Sequence, residues 1–433
     1  MAGFTSGGAI EVRSDGAADN GGYYNSNIAG AGTDYTQQKD PVCSGSDGDC
    51  NNSTTFTTNG STPFTSAMVG NAIHISGTGF TTGWYEIRTY NSTSSVVLNA
   101  NPTSAGGHPT TGSYKVGGAV TVLDAPLCTT VSTNCIAHVK SGSYTWGAIT
   151  VNASNPSGLG GIQGYKTSRG DNPTGTDRPD ITITGAMTVG NYSRLKDVYI
   201  HGSPAADLIT GGTANAFINC KIAQTAASTR TALYATADSA SIALGCEVIC
   251  TNGYAINSIN LCVNCNAHDS VHGYWMNNPM ICVNCVADTC TTAGFKAAGT
   301  GYFNNCINCA AYNCGTQFDG ATNGGYFNVI NCIGKTCTAS MTGTVTYRQI
   351  LANSVLDRAS TNVNMLFNNT TADPLMTDPA NQDFTLQASS PALNAGWTIG
   401  PNVGAVGAYK LNAGVDQNDH VAAATGGAFT FAG

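Results

Sequence analysis

The chain has 433 residues and a formal net charge of −8 at pH 7; 10% of its residues are charged, against about 25% in a typical soluble domain, and 53 are glycine. Glutamate occurs only three times, which excludes a fold of exposed helices held by Glu–Lys pairs and predicts an all-β chain. The sequence contains no cluster of Lys and Arg that could bind nucleic acid, and no apolar run approaches the ~18 residues of a membrane span. We therefore predict neither nucleic-acid binding nor membrane insertion.

The N-terminal part of the chain divides in two. Residues 1–63 are rich in Gly, Asn, Asp, Ser and Thr and have few apolar anchors, which predicts an extended arm or a set of loops. Residues 64–119 alternate short apolar runs with Gly and Asn turns, which predicts a small β module.

An internal repeat follows this module. Its most constant element is an Asn-Cys pair, with Gly245-Cys246 and Asn353-Ser354 as variants, and successive pairs are 26, 19, 20, 24, 23 and 22 residues apart. A repeat near 22 residues with variable loops is typical of a solenoid of short parallel strands, in which stacked Asn amides hydrogen-bond from coil to coil. The predicted structural ladder consists of Asn219, Cys220, Cys246, Asn264, Cys265, Asn284, Cys285, Asn308, Cys309, Asn331 and Cys332.

The repeat and its flanks resemble the right-handed parallel β-helix proteins, the superfamily that includes pectate lyases and phage tailspikes. Residues 162–183, IQGYKTSRGDNPTGTDRPDITI, are similar to the first-coil loops of such proteins, and residues 373–396, DPLMTDPANQDFTLQASSPALNAG, are similar to their closing turn. The resemblance implies a β-helix of about 12 coils over residues 120–400 with a C-terminal cap, followed by a Gly/Ala-rich tail at 401–433. It also implies a homo-oligomer, with a homotrimer as the leading expectation.

The 17 cysteines allow several interpretations. The repeated C-x2-C pairs imitate a structural zinc site, but they recur in one register of the repeat, and small thiols suit the interior of a narrow coil. We therefore predict buried free thiols and neither a metal nor a cofactor, with disulfides between adjacent columns as the alternative. Two C-x6-C spacings outside the repeat, Cys43 with Cys50 and Cys128 with Cys135, are candidate disulfides.

Few residues are candidates for chemistry or binding. A glycosidase needs two carboxylates roughly 5 to 9.5 Å apart, and Asp269 and Asp288 follow the Asn-Cys pair on successive coils, with Asp319 one coil further. Asp in a turn also commonly caps backbone amides, so a purely structural role is the alternative. Tyr274 and Trp275 are candidates for stacking on a sugar, with core or inter-subunit packing as the alternative.

Composition and resemblance together favour a structural protein of a bacteriophage virion, such as a capsid decoration, spike, tail fibre or tailspike. It would be exposed on the particle, attached to other virion proteins through its N-terminal region, and able to contact a host polysaccharide. A polar, Glu-poor β chain suits life outside a cell, and residues 1–10 carry no secretion signal, which fits synthesis in the host cytoplasm and release by lysis. The alternatives are a tailspike-type polysaccharide depolymerase, that is, a glycoside hydrolase, and a secreted β-helix adhesin whose signal has been removed.

Overall fold

The computed structural model describes residues 4–392 except 6, 105–106, 124–134, 152–158, 228, 237–239, 300, 321–325, 343–347, 353, 357–364 and 368. The described residues form 41 β-strands and three one-turn 3-10 segments, Ser66–Met68, Gly175–Asp177 and Pro379–Asn381, and they include no α-helix. The all-β prediction is confirmed. The chain divides into one unit of Met1–Thr182 with Met187–Val198 and a second of Ile183–Ala186 with Tyr199–Gly433.

The first unit contains a closed six-stranded barrel. Its strands are β3 Cys43–Asp49, β4 Thr55–Thr58, β5 Ala72–Ser76, β6 Gly83–Ser92, β7 Ser95–Leu98 and β8 Gly112–Val116. They follow the order β3-β4-β7-β6-β5-β8 around an apolar interior in which the rings of Phe56 and Tyr114 meet edge to face at 5.5 Å. The barrel therefore begins at residue 43, whereas the sequence predicts a β module from residue 64. The sequence does not reveal β3 and β4 because they contain only one large apolar residue, Phe56, and so give a weak hydrophobic pattern.

The remaining strands of the first unit are short. They are β1 Ala9–Val12, β2 Tyr23–Tyr24, β9 Cys135–Lys140, β10 Ser143–Trp146, β11 Ile149–Val151, β12 Leu159–Tyr165, β13 Asp180–Ile183, β14 Met187–Val189 and β15 Arg194–Lys196. Strand β1 pairs antiparallel with β2 and parallel with β9, which in turn pairs parallel with β12. Residues 1–63, predicted as an arm, thus contribute strands to both this sheet and the barrel.

The second unit is a parallel β-helix in which each full turn adds one strand to each of three sheets. Sheet A contains β18 Ala216–Ile218, β21 Ile242–Leu244, β24 Leu261–Val263, β27 Met280–Val283, β30 Phe303–Ile307, β33 Tyr326–Ile330, β36 Arg348–Ala352 and β38 Met365–Phe367. Sheet B contains β16 Tyr199–Gly202, β19 Lys221–Gln224, β22 Glu247–Cys250, β25 Asn266–His268, β28 Val286–Asp288, β31 Ala310–Tyr312, β34 Ile333–Lys335, β37 Val355–Leu356 and β39 Thr370–Thr371. Sheet C contains β17 Ile209–Gly211, β20 Thr231–Ala235, β23 Tyr254–Asn257, β26 His272–Met276, β29 Ala293–Ala297, β32 Thr316–Gly320 and β35 Ala339–Thr342.

The eight strands of sheet A correspond to about eight turns in this unit. The sequence predicts about twelve coils for residues 120–400, whereas this unit has about eight turns; strands β9 to β15, which precede residue 199, belong to the first unit. A hairpin of β40 Met376–Asp378 and β41 Asp383–Leu386 follows the last turn. It packs Met376 and Phe384 against the outer face of sheet B, so the described part of the predicted cap covers the side of this sheet.

The interior of the β-helix combines large and small columns. On sheet C, the buried rings of Tyr274, Phe295 and Phe318 stack nearly parallel, with centroids 4.6 and 5.3 Å apart. Sheet B contributes the small side chains of Ala267, Ala287 and Ala311 in register to the same interior. Small residues on one sheet leave room for the rings on the other, which allows close packing without voids.

The recurrence of Asn at one position of the repeat has a backbone cause. Each one forms the turn from sheet A to sheet B in a left-handed conformation, with φ between 51° and 54° at Asn219, Asn264, Asn284, Asn308 and Asn331. Gly245 occupies the same position with φ 60°. Glycine and asparagine are the residues that adopt this conformation at least cost. The backbone N–H of Asn264 donates to the carbonyl of Val283 in the next coil at 3.0 Å, and Asn284 donates equivalently to Ile307 at 3.0 Å.

A hydrogen bond between stacked Asn side chains, as predicted for the turns, occurs on the strands of sheet A. On sheet A, Asn328 Nδ2 donates to Asn305 Oδ1 at 2.8 Å. At the turns, by contrast, the side chains of Asn264 and Asn284 are exposed, whereas those of Asn219 and Asn331 are buried. Backbone conformation is thus the property that all five Asn residues share, and the Cys that follows each of them is buried.

The cysteines that follow these turns are buried inside the coil and hydrogen-bonded to neighbouring coils. Cys265 Sγ donates to the carbonyl of Ala243 at 3.3 Å, and Cys285 Sγ donates to that of Cys262 at 3.4 Å. All sixteen described cysteines are free thiols. Ser354 takes the Cys position in a later coil, where its Oγ accepts from the N–H of Cys332 at 3.1 Å. A small side chain that can both donate and accept satisfies the turn without a disulfide or a metal.

Candidate functional site

A row of charged side chains lies on the outer face of sheet B. Lys221, Glu247 and His268 belong to three successive strands, and Asp269 follows directly after the last of them. Lys221 Nζ is 2.8 Å from Glu247 Oε1, His268 Nε2 is 3.1 Å from the same oxygen, and His268 Nδ1 is 2.8 Å from Asp269 Oδ2. The row thus joins three coils through a continuous chain of ionic contacts.

The contacts within this row set its protonation. Burial opposes ionisation of Glu247, but hydrogen bonds from His268 and Lys221 outweigh it and lower the pKa of Glu247 to about 2. Burial also disfavours charge on His268, yet its hydrogen bonds to Glu247 and Asp269 raise the pKa of the imidazole. Glu247 is therefore ionised at neutral pH, and its charge favours the protonated form of His268.

Asp288 lies beside this row. It is 5% exposed, pairs in register with His268, and accepts a hydrogen bond from the Thr289 hydroxyl at 2.7 Å. Burial raises the pKa of Asp288, and the nearby charge of Asp269 adds to this effect. A buried carboxyl with a raised pKa next to an exposed carboxylate is the kind of pair that acid–base catalysis uses.

Asp269 also has a structural explanation. It forms the turn from sheet B to sheet C with φ 49°, and Thr289, Asn313 and Thr336 occupy the same left-handed position in the next three coils. Its backbone N–H donates to the carbonyl of Asp288 at 3.2 Å, just as the N–H of Thr289 donates to the next coil. Asp and Asn adopt this conformation more readily than most residues, although Thr occupies the position in two of the next three coils, so the turn favours an Asp here without requiring one.

A second row lies on the outer face of sheet C. The ring of Tyr254 is 4.4 Å from that of Trp275, and His272 meets Trp275 edge-on at 4.8 Å. On the other side of Trp275, Lys296 Nζ lies 5.5 Å from the ring centroid and 2.7 Å from Asp319 Oδ2. Burial and the charge of Lys296 lower the pKa of His272 to about 4, so this ring is neutral at pH 7.

The structure separates the predicted candidates. Asp269 belongs to the row on sheet B and Asp288 lies beside it, whereas Asp319 lies on sheet C and is paired with Lys296, so the three carboxylates do not form one site. Tyr274 is fully buried in the interior stack, and its hydroxyl donates to the carbonyl of Cys265 at 2.8 Å, so it cannot contact a sugar. Trp275 is half-buried between Tyr254 and Lys296.

The structure also places three of the four cysteines of the two candidate disulfides outside the repeat. Cys43 is the first residue of β3 and Cys50 directly follows the last, and both are free thiols in the structure. A strand of seven residues extends roughly 20 Å, which is far beyond the ~7 Å Cα separation that a disulfide allows. Cys128 lies outside the described residues, and Cys135 is a buried free thiol at the start of β9.

Sequence reasoning missed the partners of the candidate carboxylates. Lys221, Glu247 and Lys296 are separated from their partners by at least twenty residues, and each contact depends on the register between coils. The sequence does contain one clue to these contacts, the rarity of glutamate, which occurs only three times. All three glutamates, Glu11, Glu86 and Glu247, have buried carboxylates paired with a cation, the first two with Arg169 at 2.7 Å and Arg88 at 2.7 Å.

Neither row has the geometry of a metal centre. In the part of the chain that the structure describes, no three His, Cys, Asp or Glu side chains converge on a possible ion position. Among the described residues there is also no helix with the length and apolarity to span a bilayer.

Comparisons with known proteins give similarity in structure only. No protein-family model and no curated protein sequence matches the chain. The crystal structure of pectate lyase Pel9A matches with a TM-score of 0.49 and 16% identity over 66% of this chain and 88% of that chain. The tailspike protein gp49 from Pseudomonas phage LKA1 matches with a TM-score of 0.26 and 12% identity over 77% and 61%, and ORF18 of Geobacillus virus E2 with 0.25 and 11% over 55% and 52%. By the parallel pairing of its three sheets, the chain is a parallel β-helix protein.

Proposed function

We propose that this chain is a structural protein of a bacteriophage virion, exposed on the surface of the particle, and that its β-helix does not cleave polysaccharide. The non-catalytic role rests on one observation: the candidate side chains are engaged in contacts within the protein. Asp269 is bonded to His268, Asp319 to Lys296, and Trp275 lies between Tyr254 and Lys296. The Lys296–Asp319 contact joins neighbouring coils, and Asp269 holds His268, which reaches Glu247 of the preceding coil. Contacts of this kind stiffen a solenoid in which each repeat contacts only its neighbours.

The virion assignment is supported by composition. Low charge, few glutamates and many Gly, Ser, Thr and Asn residues suit a β-rich protein that works outside a cell. Gradient-purified particles of the phage that encodes the chain provide the test, because peptide mass spectrometry detects the chain in a structural band. We expect the chain to co-purify with particle DNA, and its absence from particles but presence in the lysate supernatant would reject the assignment.

A polysaccharide depolymerase is the second candidate, since one observation favours it. Asp288 is buried and has a raised pKa, as a general acid needs, and it lies beside the exposed Asp269. In this alternative Asp288 is the general acid and Asp269 the nucleophile or base.

Release of reducing ends from bacterial polysaccharides separates the two candidates. We expect the wild-type chain to release no more than D288N. If instead the wild type releases oligosaccharides, and D269N and D288N abolish release while D319N on the other sheet does not, the chain is a depolymerase and the non-catalytic proposal fails.

A further inference from the structure

Three neighbouring strands of the first unit present cations and no carboxylate. Strands β9, β12 and β15 pair parallel in that order, and buried residues such as Ala137 and Leu195 point to the interior, so that the residues on either side of them lie on the outer face. The three strands contain Lys140, Arg194 and Lys196 but no Asp or Glu. On a chain with a net charge of −8, such a face favours an anionic ligand.

Three side chains on this face have polar groups that are available to a ligand. The Nδ1 atom of His138 is buried and has no hydrogen-bond partner among the described residues. The half-buried guanidinium of Arg194 and the amide of Gln163 form no hydrogen bond or ion pair within the described part of the chain. Since polar groups that are buried in folded proteins are normally paired, these three side chains together indicate capacity for an external acceptor.

A glycine brings these groups around one point. His138 pairs in register with Gln163 on the next strand, and Arg194 on the strand after that pairs with Gly161, two residues before Gln163. Gly161 adds no side chain to the outer face, and a Cβ there would lie 2.5 Å from the backbone oxygen of Arg194. The surface around Gly161 is therefore bordered by one polar side chain from each of three successive strands, which are ~4.8 Å apart.

The carboxylates near this surface are bonded to other cations. Glu11 lies on β1, next to β9, but Arg169 contacts its carboxylate at 2.7 Å and also holds Asp34 at 2.9 Å. On the opposite side, the Nζ of Lys196 lies 3.5 Å from Oδ2 of Asp197. Between these two groups of ion pairs, an anion meets a guanidinium that has no carboxylate partner among the described residues.

The electrostatics at His138 agree with this arrangement. Burial, the charge of Arg169 and the charge of Arg194 together lower the pKa of His138 to about 4, against the opposing charge of Asp34. The ring is neutral at pH 7, so one of its nitrogens donates a hydrogen bond and the other accepts one. Arg194 thus acts on the ring through space, and an anion bound between the two should raise the pKa of His138.

We propose that the outer surface around Gly161 binds a tetrahedral oxyanion, phosphate or sulfate, through Arg194, Gln163 and His138. The guanidinium offers two parallel N–H donors, which match two oxygens of such an anion. A tetrahedral anion presents further oxygens to the amide and to the imidazole N–H, whereas a carboxylate has only two oxygens to share among donors from three strands. This site goes beyond the virion assignment and does not depend on it.

Isothermal titration calorimetry of the full chain with phosphate, sulfate and acetate at low ionic strength tests the site. We expect saturable binding of phosphate or sulfate with a dissociation constant on the order of 1 mM, and at least about tenfold weaker binding of acetate. The tighter of the two tetrahedral anions identifies the ligand. Arg194→Gln should weaken its binding about tenfold or more. Arg230→Gln, which removes an exposed cation of the second unit, is the matched control and should bind like the wild type.

The ring of His138 gives a second readout. NMR titration of its ring protons should show a pKa that rises when the anion is added. The pKa should also rise in Arg194→Gln without any anion, because the variant removes one of the charges that lower it. Circular dichroism verifies the fold of both arginine variants, and if Arg194→Gln does not fold, the response of the wild-type ring to the anion decides.

Four results would each overturn the site. They are the absence of saturable heat up to about 20 mM phosphate or sulfate, wild-type affinity in a folded Arg194→Gln, acetate bound as tightly as the tetrahedral anions, and an unchanged pKa of His138 at the highest anion concentration. None of them affects the virion assignment, which the composition of purified particles tests.

Discussion

The turn from sheet A to sheet B allows a sharp test of why asparagine recurs there. Asn284 has φ 53° and an exposed side chain, and the glycine at the equivalent position, Gly245, has φ 60°. If backbone conformation decides this position, Asn284→Gly should be nearly neutral and Asn284→Ala should be destabilising. If a ladder of amides decides it, the two variants should be equally destabilising.

The magnitude follows from the geometry. A residue with a Cβ in the left-handed region costs about 1–2 kcal/mol, of which asparagine recovers part through its short polar side chain. The exposed side chain of Asn284 buries little surface, and its N–H bond to Ile307 at 3.0 Å is made by the backbone in every variant. We therefore expect Asn284→Ala to lose about 1 kcal/mol, Asn284→Val about 2 kcal/mol, and Asn284→Gly less than about 0.5 kcal/mol.

Urea unfolding followed by circular dichroism measures these differences at constant m-value, and thermal unfolding should move by about 2–4 °C per kcal/mol. Asn328 is the matched control, because it does form an amide–amide bond, and Asn328→Gly should be destabilising. Equal losses for Asn284→Gly and Asn284→Ala, or no loss for Asn284→Val, would refute the backbone explanation.

Three further predictions concern the core, the ionic row and the thiols. Phe295→Ala, in the middle of the buried ring stack, should cost about 3–5 kcal/mol by denaturant unfolding, whereas Phe303→Ala at an exposed ring should cost far less. Glu247 has a depressed pKa, so its contribution to stability is present above pH ~4.5 and is lost as the pH falls towards about 2; a stability–pH profile of Glu247→Gln should lack this acid limb. The raised pKa of His268 has the opposite sign, so its contribution is present below pH ~6.5 and is lost as the pH rises through the folded-state pKa. This limb should become smaller in Glu247→Gln, in which only the contact of His268 with Asp269 remains. In native protein a thiol reagent should react with Cys43 before the other described cysteines, which are buried, and unfolding should expose the rest.

A specific experimental result would contradict each of these three predictions. Similar losses for the buried and exposed phenylalanines would mean that the ring stack is not part of the core. Identical acid profiles for wild type and Glu247→Gln would mean that the row on sheet B contributes nothing to stability. Rapid reaction of many thiols in the native state would contradict the packing of the cysteine columns.

The two candidate sites differ in how far sequence could predict them. The repeat predicts Asp269 and Asp288 on successive coils, because both follow the Asn-Cys pair at short distance, and β25 and β28 are indeed neighbouring strands. The same count groups Asp319 with them, yet Asp319 lies eleven residues after Asn308, beyond the second turn of the coil, and belongs to sheet C. A repeat count locates a residue along the axis but does not decide which of the three sheets presents it.

Sequence by itself determined the repeat, its parallel stacking and the interior position of the cysteines, because these depend on local periodicity and on side-chain size. It did not determine that Tyr274 points inward and Trp275 outward, although the two are adjacent; that choice depends on which face of sheet C meets the alanine column of sheet B. Nor could it determine that Lys296 pairs with Asp319 or that Met376 covers Ile333, since contacts between distant residues arise only when the coils have stacked in register. The local pattern defines the coil, and the stacking of coils decides which side chains meet on its surface.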